Sequence, residues 1–108
     1  MSKTELRAEL RVPITHRGTL GAPSPPFPCL IQDFSSQGFL IMCAAKAQIG
    51  DILELKCELY PGRFLQCQIE VRHVNDDCIG TKIVDVSDDG LKLCRQFIND
   101  HFSLNRFR

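Results

Sequence analysis

Two short patterns in this chain place residues with ligand-binding chemistry at useful spacing. Arg7 and Arg11 form RxxxR, and Asp33, Ser35 and Gly38 form DxSxxG. A guanidinium can meet a phosphate, or the O6 and N7 acceptors of guanine, with two parallel hydrogen bonds. It also stacks on base faces. A carboxylate accepts from the N1–H and N2–H donors on guanine's other edge. A glycine closing the turn allows backbone conformations and close approaches that a side chain forbids. An arm with two arginines, facing a turn with a carboxylate, a hydroxyl and a glycine, therefore suits a guanine nucleotide.

Neither pattern is specific alone. Asp85, Ser87 and Gly90 make a second DxSxxG, which reads as the start of a helix. The plainer alternatives are that Arg7 and Arg11 pair with Glu5 and Glu9 on the surface, and that residues 33–38 are only a tight hairpin. A hairpin is compatible with ligand contacts, because rigid turns carry them well.

Other chemistry finds little support. The six cysteines (Cys29, Cys43, Cys57, Cys67, Cys78 and Cys94) are widely spaced with no CxxC, which argues against a structural zinc site. They read as free thiols, with Cys57 and Cys67 on the apolar side of alternating stretches, where cysteine behaves as a small hydrophobe. His16, His73 and His101 fall on three separate elements, and no HxxxH or paired-carboxylate motif is present. A hydrolase would need a metal cluster or a positioned base and nucleophile. The chain is expected not to be an enzyme and to need no cofactor or metal.

The elements that must position these residues follow from periodicity. Leu53, Leu55, Cys57 and Leu59 alternate with charged residues, Pro61-Gly62 makes a turn, and Leu65, Cys67, Ile69 and Val71 alternate after it. These are two long antiparallel strands. Asn75-Asp76-Asp77 is the next turn, leading to a strand over residues 78–86. Residues 13–20, 29–34 and 38–43 read as further strands, with a Pro-rich loop over 21–28 that cannot sit in a central sheet. Ser87 is a helix N-cap, with Asp88 and Asp89 complementing the helix dipole. Leu91, Cys94, Phe97, Ile98 and Phe102 then recur at helical spacing and form an apolar face that must dock. Together these predict an all-β fold, a six-stranded antiparallel β-barrel whose open end is covered by one C-terminal α-helix. Residues 1–12 form a mobile arm with RxxxR, residues 13–104 the barrel and helix, and residues 105–108 a tail.

Composition sets outer bounds. Thirteen basic residues balance thirteen acidic ones, and 44% of the 108 residues are hydrophobic. That excludes a disordered chain and disfavours duplex binding, which needs a basic excess. A single-strand binder expects several exposed aromatics on a basic groove; here there are seven Phe, one Tyr and no Trp, with most Phe at core positions. The charged N-terminus lacks an apolar signal-peptide core, and no apolar run approaches the roughly 20 residues of a membrane span. The expectation is a cytoplasmic protein with no membrane insertion and no nucleic-acid partner.

RxxxR at Arg7 and Arg11, followed by DxSxxG at Asp33, Ser35 and Gly38, resembles the PilZ domain family in order and spacing. The stretch from Val71 to Val74, and that from Cys78 to Asp85 with Gly80, resemble the family's strand pair. The resemblance covers nearly the whole chain and implies a six-stranded barrel with a C-terminal helix. It also implies a stand-alone bacterial receptor for cyclic di-GMP. By motif position, Arg7 and Arg11 would hold phosphates and Hoogsteen edges, Asp33 and Ser35 the polar edge of a guanine, and Gly38 would permit the turn. A protein effector would read the arm as it closes on the ligand; motility, exopolysaccharide export, adhesion and virulence are all compatible outputs. The alternative is a divergent PilZ-fold interaction module that binds no nucleotide. Many family members carry an aromatic near His73, so this histidine either stacks on a base or continues the apolar face to the barrel's end. Leu6, where some members carry another arginine, leans toward one ligand per protomer. Arg106 and Arg108 belong either to a solvated helix end or to the site.

Overall fold

In a computed structural model of the chain, residues 12–21, 26–35, 37–43 and 46–106 are described. Six strands, β1 (Val12–Gly21), β2 (Phe27–Phe34), β3 (Gly38–Met42), β4 (Ile52–Tyr60), β5 (Arg63–Asn75) and β6 (Cys78–Val86), precede one helix, α1 (Asp88–Arg106). The strands close into a barrel in the order β1-β2-β3-β6-β5-β4, and every pairing is antiparallel.

The alternation that predicts β4 and β5 is the alternation of burial. Leu55, Cys57 and Leu59 on β4, and Leu65, Cys67, Ile69 and Val71 on β5, point into the core. Gly62 takes the positive φ of 75° that the hairpin needs, and its N–H donates to Glu58 Oε2 at 2.7 Å. All six cysteines are free thiols; five are buried and Cys78 is half-buried. Burial pushes the Cys57 and Cys67 thiols up to about 12 and those of Cys29 and Cys94 to about 11. Protonated and dry, they pack as hydrophobes.

Two expectations are corrected. Phe27 and Pro28 lie in β2, paired with Leu20 and Thr19, rather than in a loop over 21–28. Pro28 is tolerated because β3 joins β2 only from Leu30 onward, so no ladder donor is required on that side. Leu93, absent from the predicted helix face, is buried with Cys94, Phe97 and Ile98.

The helix covers the end of the barrel where β1 begins and β2 finishes. Ser87 caps it, its Oγ accepting from Gly90 N at 3.0 Å, with Asp88 and Asp89 in the first turn. Phe97 is the anchor, 1% exposed. It lies 5.6 Å from the Phe34 ring and edge-on to Tyr60 and His16, at 5.7 and 5.3 Å. Tyr60 donates to Asp100 Oδ2 at 2.5 Å, a polar clasp at the rim. Burying a ring of this size contributes about 3 kcal/mol.

Candidate ligand-binding site

The DxSxxG segment forms the β2–β3 turn, and each of its residues has a separate task. Ser35 is fully buried. Its Oγ accepts from Gln37 N at 3.1 Å and Gly38 N at 3.2 Å, and its own N–H donates to Gly38 O at 2.9 Å. A short side chain thus satisfies backbone donors that a turn would otherwise leave unpaired.

Gly38 is required for a reason different from the expected turn conformation. The glycines with positive φ among the described residues are Gly50 and Gly62, and Gly38 is not one of them. A β-carbon at position 38 would stand 1.9 Å from Thr81 O and 2.9 Å from its carbonyl carbon, inside the backbone of β6. Close strand approach, not backbone freedom, demands glycine here. The turn is fastened to β6 at the same place: Ile83 N donates to Gln37 O at 2.7 Å. Nearby, buried Thr81 donates through Oγ1 to Phe39 O at 3.1 Å. Gln37 and Thr81 are contributors that sequence reasoning missed, since their partners lie on strands distant in the chain.

Asp33 reaches the outer face through a β-bulge. The β2–β3 register shifts between Ile31 and Asp33, so Ile31 and Phe34 stay in the core while Asp33 turns outward, half-buried. The register then draws a row across the outside of the barrel: Pro13 opposite Asp33, Asp33 opposite Leu40, Leu40 opposite Gly80, and Gly80 opposite His73. A second bulge, between Val71 and His73 in the β5–β6 pairing, lifts His73 out of the inner series that Leu65 to Val71 form. The extension of the apolar face to His73 is therefore corrected. His73 is exposed, and its ring covers Gly80, where a β-carbon would stand 3.3 Å from Cδ2.

Arg7 and Arg11 lie outside the described residues, as do Leu6 and Arg108. The described chain begins beside the DxSxxG segment: Val12 pairs with Phe34, and Pro13 with Asp33. Val12 and Pro13 are thus seated directly against the DxSxxG segment. Beside it, a surface hollow of about 450 Å³ is lined by Pro13, Ile14, Thr15, Leu30 and Gln32. A separate hollow of about 510 Å³, which shares Leu30 with it, is lined by Arg17, Pro28, Met42 and Asp77. Among the described residues no group of three or more His, Cys, Asp or Glu could hold a metal ion. No described helix is long and apolar enough to cross a membrane.

Comparison with known proteins adds family and fold. The family model of the PilZ domain matches residues 5–100. No curated protein matches the chain significantly. Among solved structures, the Bacillus subtilis inhibitor of motility (MotI/DgrA) superposes with a TM-score of 0.78 at 16% identity, over 92% of this chain and 51% of that one. The chain thus spans about half the length of MotI. The PilZ domain of YcgR from Escherichia coli, solved with c-di-GMP, gives 0.73 at 10% identity over 93% and 94% of the two chains. The PilZ domain of CeSA from a cellulose-synthesizing bacterium gives 0.65 at 14% identity over 88% and 97%. At these identities the structural likeness establishes the fold.

Proposed function

We propose that this chain, which belongs to the PilZ domain family, is a bacterial cytoplasmic receptor for cyclic di-GMP that works as an adaptor rather than an enzyme. The reading rests above all on one observation: the start of β1 is paired with the DxSxxG segment, Val12 with Phe34 and Pro13 with Asp33. That pairing lets an arginine pair just upstream and a carboxylate on the barrel address one ligand. Asp33 accepts from the N1–H and N2–H edge of a guanine, while Ser35 fixes the backbone around it and Gly38 seats the turn on β6. Arg7 and Arg11 take phosphates and the O6/N7 edge. His73, at the far end of the row, offers a ring face to the second base.

Ligand bound in this way joins the residues upstream of Val12 to the barrel, and a protein effector reads the closed surface. Each residue ordered in closing costs about 1–2 kcal/mol, so closure requires a ligand that touches both arm and turn. Phe34 lies between Asp33 and Ser35 in the chain and packs on Phe97 of α1, so the turn and the helix share one aromatic contact.

Calorimetric titration with cyclic di-GMP tests the reading, with GMP and cyclic di-AMP as controls. Adenine lacks the O6 acceptor and the N1–H and N2–H donors, so cyclic di-AMP should not compete. The expected result is a dissociation constant near 1 μM, about −8 kcal/mol, lost in the Arg7→Ala/Arg11→Ala double variant. A folded wild-type chain that gives no heat would overturn the receptor and favour the interaction module.

A further inference from the structure

The outer face of the barrel carries one more group suited to an anion. Lys82 stands on β6 opposite Gly38, and the next residue, Ile83, donates its N–H to Gln37 O. Two successive positions of β6 are thus fixed to the candidate turn. On the β3 side the neighbour of Lys82 is a glycine pressed so close that its β-carbon would stand 3.1 Å from the Lys82 Cα. No side chain at position 38 flanks the lysine.

On the β5 side Lys82 is opposite Glu70, but Glu70 pairs with Arg72 at 3.8 Å. Lys82 is exposed, and among the described residues no carboxylate forms an ion pair with it. A lysine left in this state offers three donors to an arriving anion. Its place also suits the ligand. A cyclic dinucleotide held by one guanine at Asp33 must keep its phosphates away from that carboxylate. β6 lies two strand spacings from β2, roughly 10 Å at about 4.8 Å per strand, and Lys82 can reach back across the bare Gly38.

We infer that Lys82 is a phosphate-holding residue of this site. It grips the phosphate farther from Asp33, so that the dinucleotide lies across β3 rather than over the β2–β3 turn alone. The inference rests on the receptor reading and names a contact that neither arginine of the arm supplies.

The test is titration of the full chain with cyclic di-GMP at low and high salt, comparing wild type with Lys82→Ala, Lys82→Glu and Lys82→Arg. Lys56→Ala serves as control, since Lys56 lies on β4 over the Phe64 ring. Lys82→Ala should weaken binding about tenfold, in line with loss of one charged hydrogen bond. Lys82→Glu should weaken it further, Lys82→Arg should stay within about threefold of wild type, and Lys56→Ala should match it. Lys82→Ala should also lose part of the salt sensitivity, which a purely structural role would not change. Wild-type affinity in both Lys82→Ala and Lys82→Glu would overturn the inference and leave the receptor standing. A folded wild type that binds nothing would overturn both.

Discussion

The chain contains DxSxxG twice, and the two copies fold into different things. In both, the serine Oγ accepts from the N–H of the glycine three residues on, at 3.2 Å for Ser35 and 3.0 Å for Ser87. One local hydrogen bond is therefore shared. The surroundings are not. Ser35 is fully buried, and its glycine presses on the backbone of β6. Ser87 is exposed at a helix N-terminus, and Gly90 faces side chains, with a β-carbon there 2.7 Å from Val86 Cγ2. Asp33 is paired with the start of β1, whereas Asp85 is opposite Gln68 on β5. A motif acquires a role from what the rest of the chain brings against it. Only the first copy is met by the segment that follows Arg11.

Substitutions at matched positions put this contrast to the test. The largest effect belongs to Gly38→Ala, which drives a methyl into the Thr81 carbonyl with no flexible side chain to yield. Chemical denaturation should show a loss of about 3 kcal/mol or more, or failure to fold. Ser35→Ala comes next. It removes the acceptor of the Gln37 and Gly38 N–H groups, of which the Gly38 donor is buried, and about 2 kcal/mol should be lost in the same assay. Its counterpart Ser87→Ala removes only an exposed cap and should cost about 1 kcal/mol. The smallest change is expected for Gly90→Ala, where the roughly 1 kcal/mol advantage of alanine in a helix is set against contact with the Val86 Cγ2 methyl and Ser87 Oγ. Thermal or urea melts should place that variant within about 1 kcal/mol of wild type. If Gly38→Ala and Gly90→Ala proved alike, the distinction between the two copies would collapse.

Much of this architecture was legible in the sequence because it follows local rules. The β4–β5 hairpin was visible in strict alternation around Pro61-Gly62, and α1 in its cap and the spacing of Cys94, Phe97 and Ile98. What escaped was cross-strand. The bulges that turn Asp33 and His73 outward have no fixed residue signature. The need for glycine at position 38 is set by Thr81, on a strand far along the chain. The residue type of Pro28 argues for a loop. Only the pairing pattern shows that β3 begins beyond it. For the candidate site, residue types and order pointed to Asp33, Ser35 and Gly38. The row that aligns Asp33 with His73 is a property of register.

The two copies are compared as ligand sites by calorimetric titration of Asp33→Ala and Asp85→Ala chains with cyclic di-GMP. Asp33→Ala should weaken binding at least about tenfold through loss of a charged acceptor for guanine, and Asp85→Ala should stay within about twofold of wild type. Equal losses in the two variants, or undiminished binding by Asp33→Ala, would contradict the assignment of the β2–β3 turn as the guanine site.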